Sequence, residues 1–113
     1  MGESNERGTL TEAVFYILLS LMKPLHGYGI MKTVDEWSGG RVTLGAGTLY
    51  GALGTLTEKG WIRTARGEDP RKKEYVITAS GIAQLEDEIA RLEERLANAR
   101  RVMGEVSDEE DRH

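Results

Sequence analysis

From residue 80 onward, apolar side chains recur at alternating intervals of three and four: Ile82, Leu85, Ile89, Leu92, Leu96, Ala99 and Met103. This is the stripe of one helix, held for about three heptads, with mostly charged residues between its members. So narrow a seam suits another helix better than a globular core. A helix from Ile82 to Met103 is ~33 Å long at ~1.5 Å per residue. A chain of 113 residues allows one modest core, which cannot cover such a length. The expectation is a dimerisation helix over 80–103, covered through these seven residues by a second copy of the chain.

The segment before the seam reads as three helices and a hairpin. Residues 1–8 are polar and are expected to form a disordered arm. Thr9 and Glu12 have the spacing of a capping box, and Leu10, Ala13, Val14, Ile17, Leu18 and Leu21 draw an apolar face that ends at Lys23, before Pro24. After the link "PLHGYG", the set Ile30, Met31, Val34 and Trp37 predicts a shorter helix stopped by Gly39 and Gly40. Leu49, Leu53 and Leu56 predict a third, from about Ala46 to Lys59, closed by Gly60. "WIRTAR" and "KEYVIT" read as two strands joined by "GEDPRK", whose Gly67, Asp69 and Pro70 are turn residues. "GEVSDEEDRH", residues 104–113, has little apolar content and reads as an acidic disordered tail. The fold class expected is mainly α with a small β-hairpin. In order, that is a winged helix-turn-helix over 9–79 followed by the long helix.

Charge is distributed unevenly along the chain. The net formal charge is -4, yet residues 81–113 carry ten carboxylates against five arginines, whereas Lys59, Arg63, Arg66, Arg71, Lys72 and Lys73 face only Glu68 and Asp69. A Debye length of ~8 Å isolates that basic cluster from an acidic tail at the far end of a ~33 Å helix. The local field therefore decides the partner. Cysteine is absent, which excludes disulfides and thiol chemistry, and the two histidines, His26 and His113, cannot assemble a metal cluster. His26 reads as a loop or cap residue, and Trp37 and Trp61 as core or interface anchors. No nucleophile-elbow, phosphate-loop or dinucleotide fingerprint is present, so an enzyme is not expected, nor a metal or other cofactor. "AVFYILLSLM" is too short to span a membrane and lacks a basic leader, so it reads as a core helix of a cytoplasmic protein.

In a winged helix-turn-helix the third helix enters a major groove of double-stranded DNA and the wing lies along the phosphate backbone. Opposite its leucines, the third helix carries Thr48, Gly51, Thr55 and Glu58, and Gly47, Gly51 and Gly54 each cost it ~1 kcal/mol relative to alanine. Two readings stand: the glycines admit a groove wall close to the backbone, or they permit close packing inside the domain. Tyr50, beside Leu49, is either a core ring or a contact to DNA.

"HGYGI" at 26–30, "GTLYGAL" at 47–53, "EKGWI" at 58–62 and "YVITASGIAQL" at 75–85 resemble, in this order, the pattern of the PadR family of bacterial transcriptional regulators. The likeness runs from residue 9 to about 103, and the length resembles the small members with a single helix after the wing. The resemblance implies a homodimer built through the last helix, DNA binding by the third helix and wing, and often a small-molecule effector that lowers DNA affinity. It places Thr48 and Tyr50 on the recognition-helix motif and Arg71, Lys72 and Lys73 on the basic wing. The chain departs from the pattern at Gly51, where proline is common, and around Gly54 and Thr55, where basic residues are common. Function is read as a repressor that binds a palindromic operator through Thr48, Tyr50, Gly51, Thr55, Arg71, Lys72 and Lys73. The alternative is a winged-helix module for protein partners. An effector is expected near Phe15, Tyr16 and Met103, the aromatic and flexible apolar groups closest to the seam.

Overall fold

The structure, a computed structural model, describes residues 10–67, 69 and 71–112, with the backbone alone for 106–112. The expected disordered arm at 1–8, Thr9, Glu68, Pro70 and His113 lie outside the described residues. The first helix, α1, spans Glu12–Ser20. Its cap is Thr11, whose hydroxyl accepts the Val14 N–H at 3.1 Å. This corrects the capping box drawn from Thr9: a cap side chain serves the amide two or three residues on, and Thr11 is in that place.

Strand β1, Leu25–His26, leads directly into α2, Gly27–Trp37. The helix thus starts inside the stretch read as a link, because His26 Nδ1 accepts the Gly29 N–H at 3.2 Å and caps it. Gly39 and Gly40 end α2 with φ of 65° and 82°, a backbone open to glycine at little steric cost. Helix α3 spans Ala46–Glu58. Gly60, at φ 79°, closes it while Trp61 N–H donates to Leu56 O at 3.0 Å.

The hairpin consists of β2, Ile62–Ala65, and β3, Glu74–Ile77, paired antiparallel from Ile62↔Ile77 to Ala65↔Glu74. β1 pairs on the other side of β3, Leu25 opposite Tyr75, giving the order β1-β3-β2. The core lies between this sheet and the helices. Ile17, Leu18 and Leu21 meet Ile30 and Val34 of α2, Leu49, Leu53 and Leu56 of α3, and Ile62 and Ile77 of the sheet. Each such burial stabilises by roughly 1.5–3 kcal/mol. Trp37 stays outside this core, half-exposed. Trp61 packs on its edge. The arrangement is a winged helix-turn-helix.

One residue, Thr78, joins β3 to α4, Ala79–Arg112. Its N–H donates to Trp61 O at 3.0 Å and its hydroxyl to Gly60 O at 2.6 Å, while that hydroxyl accepts the Gly81 N–H at 3.1 Å. Gly81 is buried against the wing: a methyl there would run into the Trp61 carbonyl and come within 2.7 Å of Ile77 Cγ1. Farther along, the buried Glu88 carboxylate accepts the Leu10 N–H at 3.1 Å and pairs with Arg91 at 2.9 Å, fastening α4 to the start of α1.

Two members of the seam are therefore occupied within the chain. Leu85 is buried in the core and Ile82 packs against it, since the first turns of α4 leave the sheet beside α1. The unpartnered stripe begins at Ile89. The helical backbone also continues past Met103 through the stretch read as a disordered tail, with one glycine and no proline from 104 to 112 to stop it. Among the described residues no helix is long and apolar enough to cross a membrane.

Candidate nucleic-acid interface

Helix α3 divides cleanly into two faces. Leu49, Leu53 and Leu56 are buried, and Thr48, Gly51, Thr55 and Glu58 are exposed. A methyl group placed on Gly47, Gly51 or Gly54 would meet nothing within 4 Å. Of the two readings of these glycines, close packing inside the domain is thereby excluded among the described residues. What they leave is a low, uncharged ridge of backbone and small side chains, open to a large partner. Thr55 keeps its hydroxyl proton on Gly51 O at 3.2 Å, so towards solvent it offers lone pairs and a methyl group.

Tyr50 is half-exposed and is not a core ring. Its position is tied to Gly27: a methyl on residue 27 would collide with the Tyr50 hydroxyl and lie 2.7 Å from Cζ. The ring thus bridges from α3 to the start of α2, and the wing closes the other side. Tyr50, His26, Gly27 and Tyr28 share with Arg71, Lys72 and Lys73 an open groove of about 470 Å³.

The three wing cations differ in what holds them. Asp69 shapes the turn by accepting the Arg71 N–H at 3.0 Å on Oδ1, and its backbone carbonyl accepts the Lys72 N–H at 2.9 Å. The same carboxylate takes the Arg71 guanidinium at 3.3 Å. The Arg71 backbone N–H first, then its guanidinium, hold the Asp69 carboxyl below the usual carboxylate range. Lys73 Nζ stands 5.9 Å from the centre of the Tyr75 ring, within reach of a cation–π contact. Lys72 has no ion-pair partner among the described residues, and it lines three grooves along the wing.

Of the residues read as DNA contacts, the groove joins Tyr50 to Arg71, Lys72 and Lys73. Thr48, Gly51 and Thr55 lie on the adjoining exposed face of α3. The seam divides at Ile89: beyond it, Leu92 at 41%, Leu96 at 50% and Met103 at 70% are exposed, as is Ala99. Phe15 and Tyr16 form an edge-to-face pair 5.5 Å apart, half-buried against the core. Met103 stands fourteen residues beyond Ile89 on α4, ~20 Å along the axis. The sequence reading missed His26 and Tyr28 as groove residues. "HGY" precedes the apolar pattern of α2, but periodicity cannot reveal that a two-residue strand turns it towards the wing.

Comparison with known proteins adds to this geometry. The sequence profile of the transcriptional regulator PadR-like family matches residues 15–87. A curated relative, an uncharacterized 37.1 kDa protein in transposon Tn4556 of Streptomyces fradiae, is 41% identical over 76 residues, 65% of this chain. Those residues are 21% of that protein, so the chain spans about a fifth of its length. Among solved structures, RosR of H. salinarum is 25% identical with a TM-score of 0.65, over 92% of this chain and 96% of that one. A PadR family transcriptional regulator of Eggerthella lenta is 21% identical with a TM-score of 0.66, over 80% of each chain, a likeness of fold alone.

Proposed function

The chain belongs to the PadR-like family of transcriptional regulators, and from that premise we propose that it is a cytoplasmic homodimeric repressor that binds double-stranded DNA at a palindromic operator. Its work is regulatory and not catalytic. The observation that carries the reading is the groove joining the half-exposed Tyr50 of α3 to the cations of the wing. A major groove admits a helix while the flanking phosphates meet the wing. The ridge of Thr48, Gly51 and Thr55 brings the α3 backbone close to base edges, and Arg71, Lys72 and Lys73 meet the backbone. In this reading 9–79 is the DNA-binding domain and 80–103 the dimerisation helix, flanked by an N-terminal arm and an acidic tail.

The exposed stripe of α4 supports the dimer. From Leu92 to Met103 its apolar stripe is exposed in the single chain, and a second copy supplies the matching stripe. Two-fold symmetry then sets the half-sites about one turn of DNA apart, ~10 base pairs or a multiple. A small effector that releases the operator would sit where Phe15 and Tyr16 of one chain meet Met103 of the other.

Selection of bound fragments from genomic DNA, followed by footprinting, tests the reading. Lys72→Ala should weaken all sequences alike and lower the salt slope by roughly one phosphate contact per wing, two per dimer. Thr48→Ala should instead narrow the gap between operator and random duplex. The lack of any lysine or arginine between Ala46 and Glu58 favours the second reading, a module for protein partners. That reading requires duplex binding to be absent even at low salt.

A further inference from the structure

Resting on the reading above, we propose that His26, Tyr28 and Tyr50 form an uncharged seat for one backbone phosphodiester of the bound duplex, at the root of the wing. The three come from different elements and line one groove, with the wing cations at its rim. His26 Nδ1 is engaged as the acceptor for Gly29 N–H. The neutral ring therefore carries its proton on Nε2, which makes that nitrogen a donor. The cap fixes the tautomer without any charge.

Tyr28 and Tyr50 are 69% and 51% exposed, and their hydroxyls have no hydrogen-bond partner among the described residues. Exposed tyrosines are common, but Tyr50 is positioned: its hydroxyl end lies over Gly27, where no side chain fits. Two hydroxyls and an imidazole N–H are donors suited to the non-bridging oxygens of a monoanion. Lys72 and Lys73 supply the long-range attraction. The ridge of α3 lies on one side and the wing on the other, so the groove is crossed by whatever polymer engages both. That points to a phosphodiester of the duplex, not free phosphate.

Neutral donors leave a signature that cations do not. They release no condensed counterions, so their contribution is independent of salt. The variants are Tyr28→Phe, Tyr50→Phe and His26→Asn. The last retains a good helix cap while removing the imidazole donor. Each is expected to weaken operator and random duplex alike, by roughly tenfold for each hydrogen bond to a charged group, lost once per chain and so twice per dimer. The salt slope should stay at the wild-type value, and the melting temperature of each variant, measured alongside, reports folding. Lys72→Ala is the contrast, with a lowered slope. A triple variant that melts and binds as the wild type does, while Lys72→Ala keeps its effect, overturns the seat and leaves DNA binding standing. If the wild type binds no duplex at low salt, both readings fall. Inorganic phosphate, compared with chloride at equal ionic strength, should not displace duplex. Displacement by millimolar phosphate that the triple variant loses would make this a free-anion site and overturn the assignment.

Discussion

A methyl group at Gly51 touches nothing, so the cost of glycine there, ~1 kcal/mol against alanine, is not offset inside the chain. Gly51→Ala should therefore raise stability by about that amount, a few degrees in melting temperature for a domain of this size. Gly51→Lys should also fold, but its long side chain should push the α3 ridge off the groove and impair operator binding despite the added charge. Tighter specific binding by a folded Gly51→Lys dimer would refute the close-approach account. At this scale the sequence was partly legible. Spacing alone separated the buried leucines from the exposed threonines of α3. It could not decide why the glycines were there, because their meaning depends on what surrounds them. Nor could it tell the wing cations apart: Arg71 is shared with Asp69 and Lys73 stands over Tyr75, relations set by a turn and a strand register.

Among the elements, the joint at Thr78 is the most constrained. Gly81 rests on the backbone of Trp61 so closely that any Cβ must displace one of the two. Overpacking of this kind typically costs about 1–3 kcal/mol. Gly81→Ala should lower the unfolding free energy by that order and with it the urea midpoint, whereas Ser80→Ala, at an exposed neighbour, should not. An unchanged midpoint for Gly81→Ala would show that the contact yields freely. Helices α1–α3, the hairpin and α4 were legible because each repeats its period long enough to register. β1 has only two residues, too few for any alternation to appear. The division of the seam at Ile89 was hidden for a different reason. A heptad stripe states that something apolar covers it, and Leu85 is covered by its own domain while Leu92 is not.

At the scale of the whole molecule, α4 makes the chain 67 Å long and at most 29 Å across. Its radius of gyration, 17.8 Å, exceeds the ~13 Å of a compact chain of this size. An aspartate at the exposed Leu92 is harmless to a single chain but would be buried without a partner in the proposed dimer. Leu92→Asp should therefore sediment at the monomer mass, 12.5 kDa, with the winged domain still folded by circular dichroism, and a dimer of unchanged affinity would sink the assignment. The one-residue joint has a geometric corollary for that dimer. With no slack at Thr78, and with Glu88 fastening α4 to the start of α1, the bearing of each reading head is geared to the rotation of its helix. One residue inserted beyond Arg91 would turn the pairing stripe by ~100° and leave the two heads out of phase. Seven would restore the phase to within ~20° and shift the heads along the axis by ~10 Å each. The distance between half-sites that such a protein can read is thus quantised, and the increment is the heptad.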